Sequence, residues 1–467
     1  MNKPHMARLP QAVATACTVF AAAALLALGA PPVAAHAEVV GHMQTPEALS
    51  EARIASLAQA EQGAWLAYLA RSRALMAADK AALAAERGGQ AAPAVPGTAP
   101  AAPAPAAATP PAAATVPAAP PRNASGDGGM PLNHPAAWYS GAEARRVAAN
   151  IASFQTPAGG WGKNADRSAA PRQRGQHYVV DDMYPGAGAT RDAWSYVGTI
   201  DNNATTSELR FLARVQAQAP GADGDAYRAA FLKGLRYLLN AQFPNGGYPQ
   251  VYPLQGGYHD AITYNDNAMG SVVLLMSEIA AAQGDFAFVP AALAGEAAAA
   301  NARSVKLIVA TQLVAGGVRT GWCQQYDALT AAPVGARNFE PVALASGESA
   351  GLITLLMRLP DPAPDTVAAV RNAAAWLRRA ALRDVAWTGK EPGVGRKLVA
   401  KPGAGPLWSR FYDLATMKPI FGDRDRSIHD DVNAISLERR NGYAWFSNGP
   451  AKVLEAYERW PAARIVN

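Results

Sequence analysis

Hydrophobic positions along most of the chain recur at spacings of three and four residues, the period of a helix with one face turned to a core. Beyond residue 130 this pattern predicts helices over Ala142–Phe154, Thr205–Gln218, Tyr227–Gln242, Ala268–Gln283, Ala298–Val314, Ser349–Arg358, Pro364–Leu382 and Pro450–Arg459. Between them run loops rich in Gly, Pro and aromatic residues, without clear strand pairs. No βαβ alternation and no G-x-G-x-x-G stretch occurs, so a nucleotide-binding α/β fold has no support. Two of the loops echo each other. Gln155-Thr-Pro-Ala-Gly-Gly-Trp161 and Gln242-Phe-Pro-Asn-Gly-Gly-Tyr248 share Gln-x-Pro-x-Gly-Gly-aromatic, and Gly317–Trp322 is a weaker third copy. A Gly pair makes a tight turn after a helix, and the aromatic packs back on the helix end. Repeating one helix–turn unit around an axis predicts an all-α toroid.

The N-terminal third reads differently. Residues 1–37 have the form of a secretory signal: Lys3 and Arg8, an apolar run over residues 12–30, then Ala35-His36-Ala37. Residues 38–87 form a helical segment, with Thr45 placed to cap, Pro46 at the first turn, and Leu49, Leu57, Leu66, Leu69 and Leu83 at helical intervals. From Gly88 to Pro121 no residue is charged and Ala and Pro dominate. Such a tract cannot build a core, so residues 88–122 are read as a linker and 123–467 as the main domain. A secreted or periplasmic protein is expected. Cys17 lies in the signal and Cys323 has no partner, which excludes a disulfide scaffold.

Composition adds little to this picture. The 467 residues carry 42 Lys and Arg against 36 Asp and Glu, a formal charge of +6 without a basic stripe, which argues against nucleic acid. Mean hydropathy near zero argues against a multi-pass membrane protein.

Candidate chemistry sits in the loops. Thr199-Ile-Asp201-Asn202-Asn203 and Tyr264-Asn265-Asp266-Asn267 each place acid and amide oxygens just before a helix, a donor set that suits a hard cation. Neither has the spacing of an EF-hand loop. Ala336-Arg337-Asn338-Phe339-Glu340-Pro341 sets an arginine among small residues, a natural fork for a carboxylate. A further run, Phe421–Asp431, alternates acids with Arg424 and Arg426. The histidines lack metal-ligand spacing, no G-x-S-x-G occurs, and Cys323 reads as a small buried hydrophobe.

Five motifs in order, Gly-Gly-Trp-Gly-Lys-Asn (159–164), Thr-Ile-Asp-Asn-Asn-Ala-Thr (199–205), Asn-Gly-Gly-Tyr-Pro-Gln (245–250), Tyr-Asn-Asp-Asn-Ala-Met (264–269) and Ala-Arg-Asn-Phe-Glu-Pro (336–341), resemble pectate lyases of polysaccharide lyase family ten. The resemblance spans about residues 135–465. It implies an (α/α)3 toroid that cleaves polygalacturonate by Ca²⁺-assisted anti β-elimination. It further implies Arg337 as the base, Asp201, Asn202 and Asp266 at calcium and substrate-carboxylate positions, and Arg424 on substrate, with Arg426 a close competitor. Lys163 is a further expected carboxylate ligand, and Trp161, Tyr248, Trp322 and Tyr326 are candidate floors for sugar rings. The expected partner is polygalacturonate, bound by a monomer, with neither nucleic acid nor membrane. Two other readings compete: a non-catalytic binder of acidic glycans on the same scaffold, and a terpenoid-cyclase-like toroid, whose Q-x-x-x-G-x-W repeat fits Gln155–Trp161. The second lacks the Asp cluster its chemistry requires.

Overall fold

A computed structural model of the chain describes residues 38–44, 46–88, 119–123, 129–180 and 197–464. The signal reading of residues 1–37, the cap at Thr45 and most of the linker lie outside the described residues.

Eleven α-helices are present among the described residues. They are α1 (Glu51–Ile54), α2 (Gln59–Glu86), α3 (Ala142–Ser153), α4 (Thr206–Gln218), α5 (Ala222–Ala241), α6 (Ala268–Ala281), α7 (Ala291–Ala310), α8 (Ser346–Arg358), α9 (Pro364–Ala380), α10 (Leu437–Gly442) and α11 (Gly449–Arg459). Three hairpins, α4–α5, α6–α7 and α8–α9, pack side by side in two rows. In the inner row α4 touches α6 and α6 touches α8; in the outer row α5 touches α7 and α7 touches α9. α3 covers one end of the array through α4 and α5, and α11 covers the other through α8 and α9.

The sequence explains which helix lies in which row. α6 is apolar around its circumference and buries Met269, Val272, Val273, Leu275, Met276 and Ile279. α9 buries only a stripe, Thr366, Ala369, Val370, Ala373, Ala374, Trp376 and Leu377, and ends on Arg378 and Arg379. A helix hydrophobic all round needs neighbours all round, whereas a stripe needs a neighbour on one side.

The all-α toroid expectation requires correction. Sixteen short strands form seven antiparallel sheets of two or three strands among the described residues, and they recur with the helices. In each hairpin unit, the strand entering the inner helix pairs with the strand leaving the outer one. Gly198–Thr199 pairs with Val251–Tyr252 around α4–α5, Ile262–Thr263 with Gln325–Tyr326 around α6–α7, and Leu344–Ala345 with Phe411–Tyr412 around α8–α9. Strands of two residues are too short to show the period-two alternation by which strands are read from sequence.

The repeated glutamine explains the loop motif. Gln155 Nε2 donates to the Gly159 and Ala230 carbonyls, each at 2.8 Å. Gln242 Nε2 donates to those of Gly246 and Ala300 at 3.2 and 2.8 Å. Each side chain closes its own turn and ties it to the next outer helix. The third copy begins at Gln312, bonded to the Thr320 and Ala369 carbonyls at 2.8 Å. A hairpin of Val314–Ala315 and Val318–Arg319 is inserted before Trp322, which is why that copy looks weak in sequence.

Candidate active site

The strand pairs gather the loops at one end of the inner helices, around a cleft of about 710 Å³. One wall is built by the turns Asp201–Asn203 and Asn265–Asn267, which touch. Each follows a strand and precedes an inner helix. Each also runs through left-handed backbone, with φ of 50° and 60° at Asn202 and Asn203 and 51° and 59° at Asp266 and Asn267. Asn and Asp are the non-glycine residues that best tolerate this region, so the acid–amide composition has a backbone reason as well as a chemical one.

The two carboxylates sit in different surroundings. Asp201 is buried; its Oδ2 meets Lys163 Nζ at 2.5 Å, and its Oδ1 accepts the Asn202 N–H at 3.0 Å. Asp266 is half-exposed, and Arg410 Nη2 lies 3.9 Å from its Oδ1. Burial, followed by the charge of Asp201, raises the Asp266 carboxyl above its ordinary value. Arg410 is spent elsewhere: Nη2 donates to Asn265 Oδ1 at 2.7 Å and to buried Glu348 Oε1 at 2.8 Å.

Arg337 and Glu340 line the same cleft. Arg337 Nε and Nη2 reach the two Glu340 oxygens at 2.9 and 2.5 Å, its backbone N–H donates to Oε2, and the Tyr443 hydroxyl donates to Oε1 at 2.6 Å. Burial would raise the Glu340 carboxyl, but the Arg337 hydrogen bonds and charge hold it below the usual range. Conversely, burial would lower the Arg337 guanidinium, and Glu340 lifts it above its ordinary value. Arg424, more than half exposed, reaches Glu438 at 3.2 Å and stacks on Phe339, whose ring also carries Arg439. On the cleft floor, burial and then Lys163 push the His259 imidazole down to about 4, so it is neutral at pH 7.

A cleft that sets Lys163, Arg337, Arg424 and Arg439 around two acids on touching turns is furnished for a polyanion. Comparison with known proteins agrees. Residues 155–454 match the family model described as pectic acid lyase. The chain belongs to the pectic acid lyase family. Two solved structures are similar to it. One is a mutant of family 10 polysaccharide lyase from Cellvibrio cellulosa in complex with trigalacturonic acid, 30% identical, covering 73% of this chain and 100% of that one, with TM-score 0.59. The other is the family 10 polysaccharide lyase from the same organism, also 30% identical with TM-score 0.59, covering 73% and 99%. No curated protein matches the chain. This pectic acid lyase family member is a polysaccharide lyase.

The cleft of the lyase gathers Lys163, Asp201, Asn202, Asp266, Arg337 and Arg424 along its walls. It does not include Trp161, Tyr248, Trp322 or Tyr326. These four are corrections to the expected sugar floors, because each is at most 1% exposed. Trp161 Nε1 donates to the Ile151 carbonyl and Trp322 Nε1 to that of Ile308, both at 2.7 Å, and Tyr326 OH to that of Thr311 at 2.9 Å. The polar edges of these three are spent on helix ends. Arg426 is not among the lining residues, whereas Arg424 is.

Sequence reasoning missed Arg410, Arg439, Tyr443 and a role for Glu340. For Arg410 a signal exists. The segments Trp161-Gly-Lys163, Tyr248-Pro-Gln250-Val-Tyr252, Trp322-Cys-Gln324-Gln-Tyr326 and Trp408-Ser-Arg410-Phe-Tyr412 align as aromatic-x-(Lys, Gln, Gln, Arg), the last three continuing x-Tyr. Lys163 and Arg410 are thus the basic members of one repeated position, and each binds a member of an acid–amide turn.

Proposed function

We propose that the enzyme cleaves α-1,4-linked polygalacturonate by anti β-elimination, releasing 4,5-unsaturated oligogalacturonates. The observation that carries this reading is that Asp201, Asp266 and Arg337 line one cleft together with Lys163, Arg424 and Arg439. In the reaction, the C5 proton leaves to a base, a C4–C5 double bond forms, the C4–O4 bond breaks, and O4 departs with a proton. The C5 proton is very weakly acidic, so the site must stabilise charge that develops on the adjoining carboxylate. Lys163 and Arg424, which line this cleft, are the proposed charge-assisted partners of the uronate carboxylates.

Calcium is part of the proposal. No three His, Cys, Asp or Glu side chains converge among the described residues. The donors fit a hard cation: Asp201, Asn202 and Asp266 offer oxygens, and of the two causes that raise Asp266, burial and then the charge of Asp201, a divalent cation would relieve the second. Those residues would share the ion with the uronate carboxylate, where it would supply Lewis-acid stabilisation of the developing charge.

Arg337 is the proposed base. It can accept a proton only as the neutral guanidine, and in this structure Glu340 favours the charged form. The role therefore requires alkaline pH and the surrounding positive field of Arg410, Arg424 and Arg439. The sequence pattern of residues 1–37 makes export to the periplasm or medium part of the same proposal.

Polygalacturonate and highly methylated pectin, incubated with the enzyme with and without a calcium chelator, test this reading through the ultraviolet absorbance of unsaturated uronides. Absorbance should rise on polygalacturonate alone and stop on chelation. Arg337→Ala should lower kcat about 10³-fold while part of the binding persists. Binding with no absorbance change in the parent chain would replace the lyase by a glycan binder.

A further inference from the structure

Residues 38–87 lie outside the family match, yet their first part grips both loops that carry the candidate arginines. Val39–His42 pairs antiparallel with Ser427–His429, and that strand pairs with Phe421–Gly422. Arg424 lies in the turn between the last two strands, so the N-terminal strand backs the hairpin that presents it. The contact continues as the Met43 N–H donates to the Arg426 carbonyl at 2.9 Å. The chain then crosses to the other loop. Gln44 O lies 3.6 Å from where a Cβ on Gly335 would stand, two residues before Arg337. Arg53 Nη2 reaches Asp327 Oδ2 at 2.7 Å, while Asp327 Oδ1 accepts the Leu329 and Thr330 N–H groups at 3.0 and 2.9 Å, shaping the turn that leads to Arg337. The two loops are also tied to each other, Asn338 Nδ2 donating to the Arg424 carbonyl at 2.7 Å.

The grip is anchored. α2 buries Trp65, Tyr68 and Leu69 in the main core, the Tyr68 hydroxyl donates to the Ala241 carbonyl at 3.1 Å, and Ser72 Oγ accepts the Leu254 N–H at 2.9 Å. A segment fixed to the body at one end and to two loops along its length restricts those loops. Restriction matters here because misplacing a reacting group by about 1 Å costs up to 10²-fold in rate.

We propose that residues 38–53 are an intramolecular brace that positions Arg337 and Arg424 for catalysis without touching substrate. Asp327 and Arg53 act on the Arg337 loop, and the strand with Met43 acts on the Arg424 hairpin. The kinetic half of the test rests on the lyase reading; hydrogen exchange does not.

Arg53→Ala and Met43→Pro, each in the full chain, separate the two arms. The first deletes the Asp327 contact and the second removes the N–H given to Arg426. Amide hydrogen exchange should quicken about tenfold or more over residues 327–340 in Arg53→Ala and over 421–429 in Met43→Pro, with α4, α6 and α8 unchanged. On polygalacturonate, Arg53→Ala should lower kcat about tenfold, and Met43→Pro should raise KM by a similar factor. The paired substitution His42→Cys with Ser427→Cys, at register partners, should restore KM in the Met43→Pro chain once oxidised. Unchanged exchange in both loops overturns the brace. So does quickened exchange with unaltered kinetics in an active enzyme. A parent chain inactive on polygalacturonate would sink the lyase reading, and exchange would still decide the brace.

Discussion

The turns Asp201–Asn203 and Asn265–Asn267 share a backbone and differ in what their acids face. Both run through the left-handed region at their last two residues, and both launch an inner helix. The order of acid and amide is reversed between them: Asp201 takes the place of Asn265, and Asn202 that of Asp266. Asp201 is buried and neutralised by Lys163, whereas Asp266 is half-exposed, raised, and left with Arg410 at 3.9 Å. The basic residue beside the first turn is thus spent on its acid, and Arg410, which reaches the second turn from the α8–α9 unit, is spent on the amide and on Glu348. The comparison teaches that repetition supplies the geometry while the exchange of two residues decides where unbalanced negative charge faces the cleft.

Breaking the comparison at Asp266 should have the largest effect. Asp266→Asn should lower kcat/KM on polygalacturonate about 10³-fold and raise the calcium needed for half activity, because it removes the acid with charge still to offer. A loss below about threefold would remove Asp266 from the reaction. Stability should move the other way. A carboxyl raised in the folded state favours folding below its unfolded pKa, and that contribution is lost as pH rises through the raised value. At neutral pH the charge is therefore a cost, and the Asn variant should melt about 1–3 °C higher. The gain should vanish in acid.

Asp201→Asn sharpens the contrast because both quantities should fall. The variant leaves Lys163 without its carboxylate and weakens the bond from the Asn202 N–H. Loss of a partly buried charged pair costs about 1–3 kcal/mol, so thermal unfolding should begin several degrees earlier. A melting temperature that rises, as for Asp266→Asn, would show that the two acids are equivalent after all.

The same comparison shows what the sequence made legible. Helices of ten residues or more carry enough turns to display their period, and the eight predicted ones are present, with most ends shifted by a few residues and the starts of α5 and α7 by five and seven. α10, with six residues, is too short to display one. The acid–amide turns were legible because Asn and Asp are favoured there by backbone and by chemistry together. The third unit offered no such cue: Leu344–Ala345 runs directly into α8, and its acid, Glu348, lies within the first turn of the helix rather than in a turn before it. Arg410 escaped notice because a single arginine in a two-residue strand context has no local pattern, and only alignment of the repeats exposes it. The tryptophans misled for a physical reason. A Gly-Gly-Trp turn beside polar loops looks like a sugar platform, but the indole N–H is needed to satisfy a carbonyl at a helix end.

The smallest effect separates backbone from chemistry within the turns. Asn267 has φ of 59°, and it lies outside the set of residues lining the cleft. Asn267→Ala forces a Cβ-bearing residue without a helpful amide into left-handed backbone, at about 1 kcal/mol. Asn267→Gly takes the same φ without that strain and should stay within about 0.5 kcal/mol of the parent. Chemical denaturation of the three chains distinguishes these values, and kcat on polygalacturonate should change less than about threefold in either variant. Equal destabilisation by Ala and Gly would mean that the Asn267 amide, which donates to Ser271 Oγ at 3.3 Å, holds the turn through its hydrogen bond. The shared backbone would then rest on side-chain contacts, and the likeness between the two turns would owe less to φ than their matching angles imply.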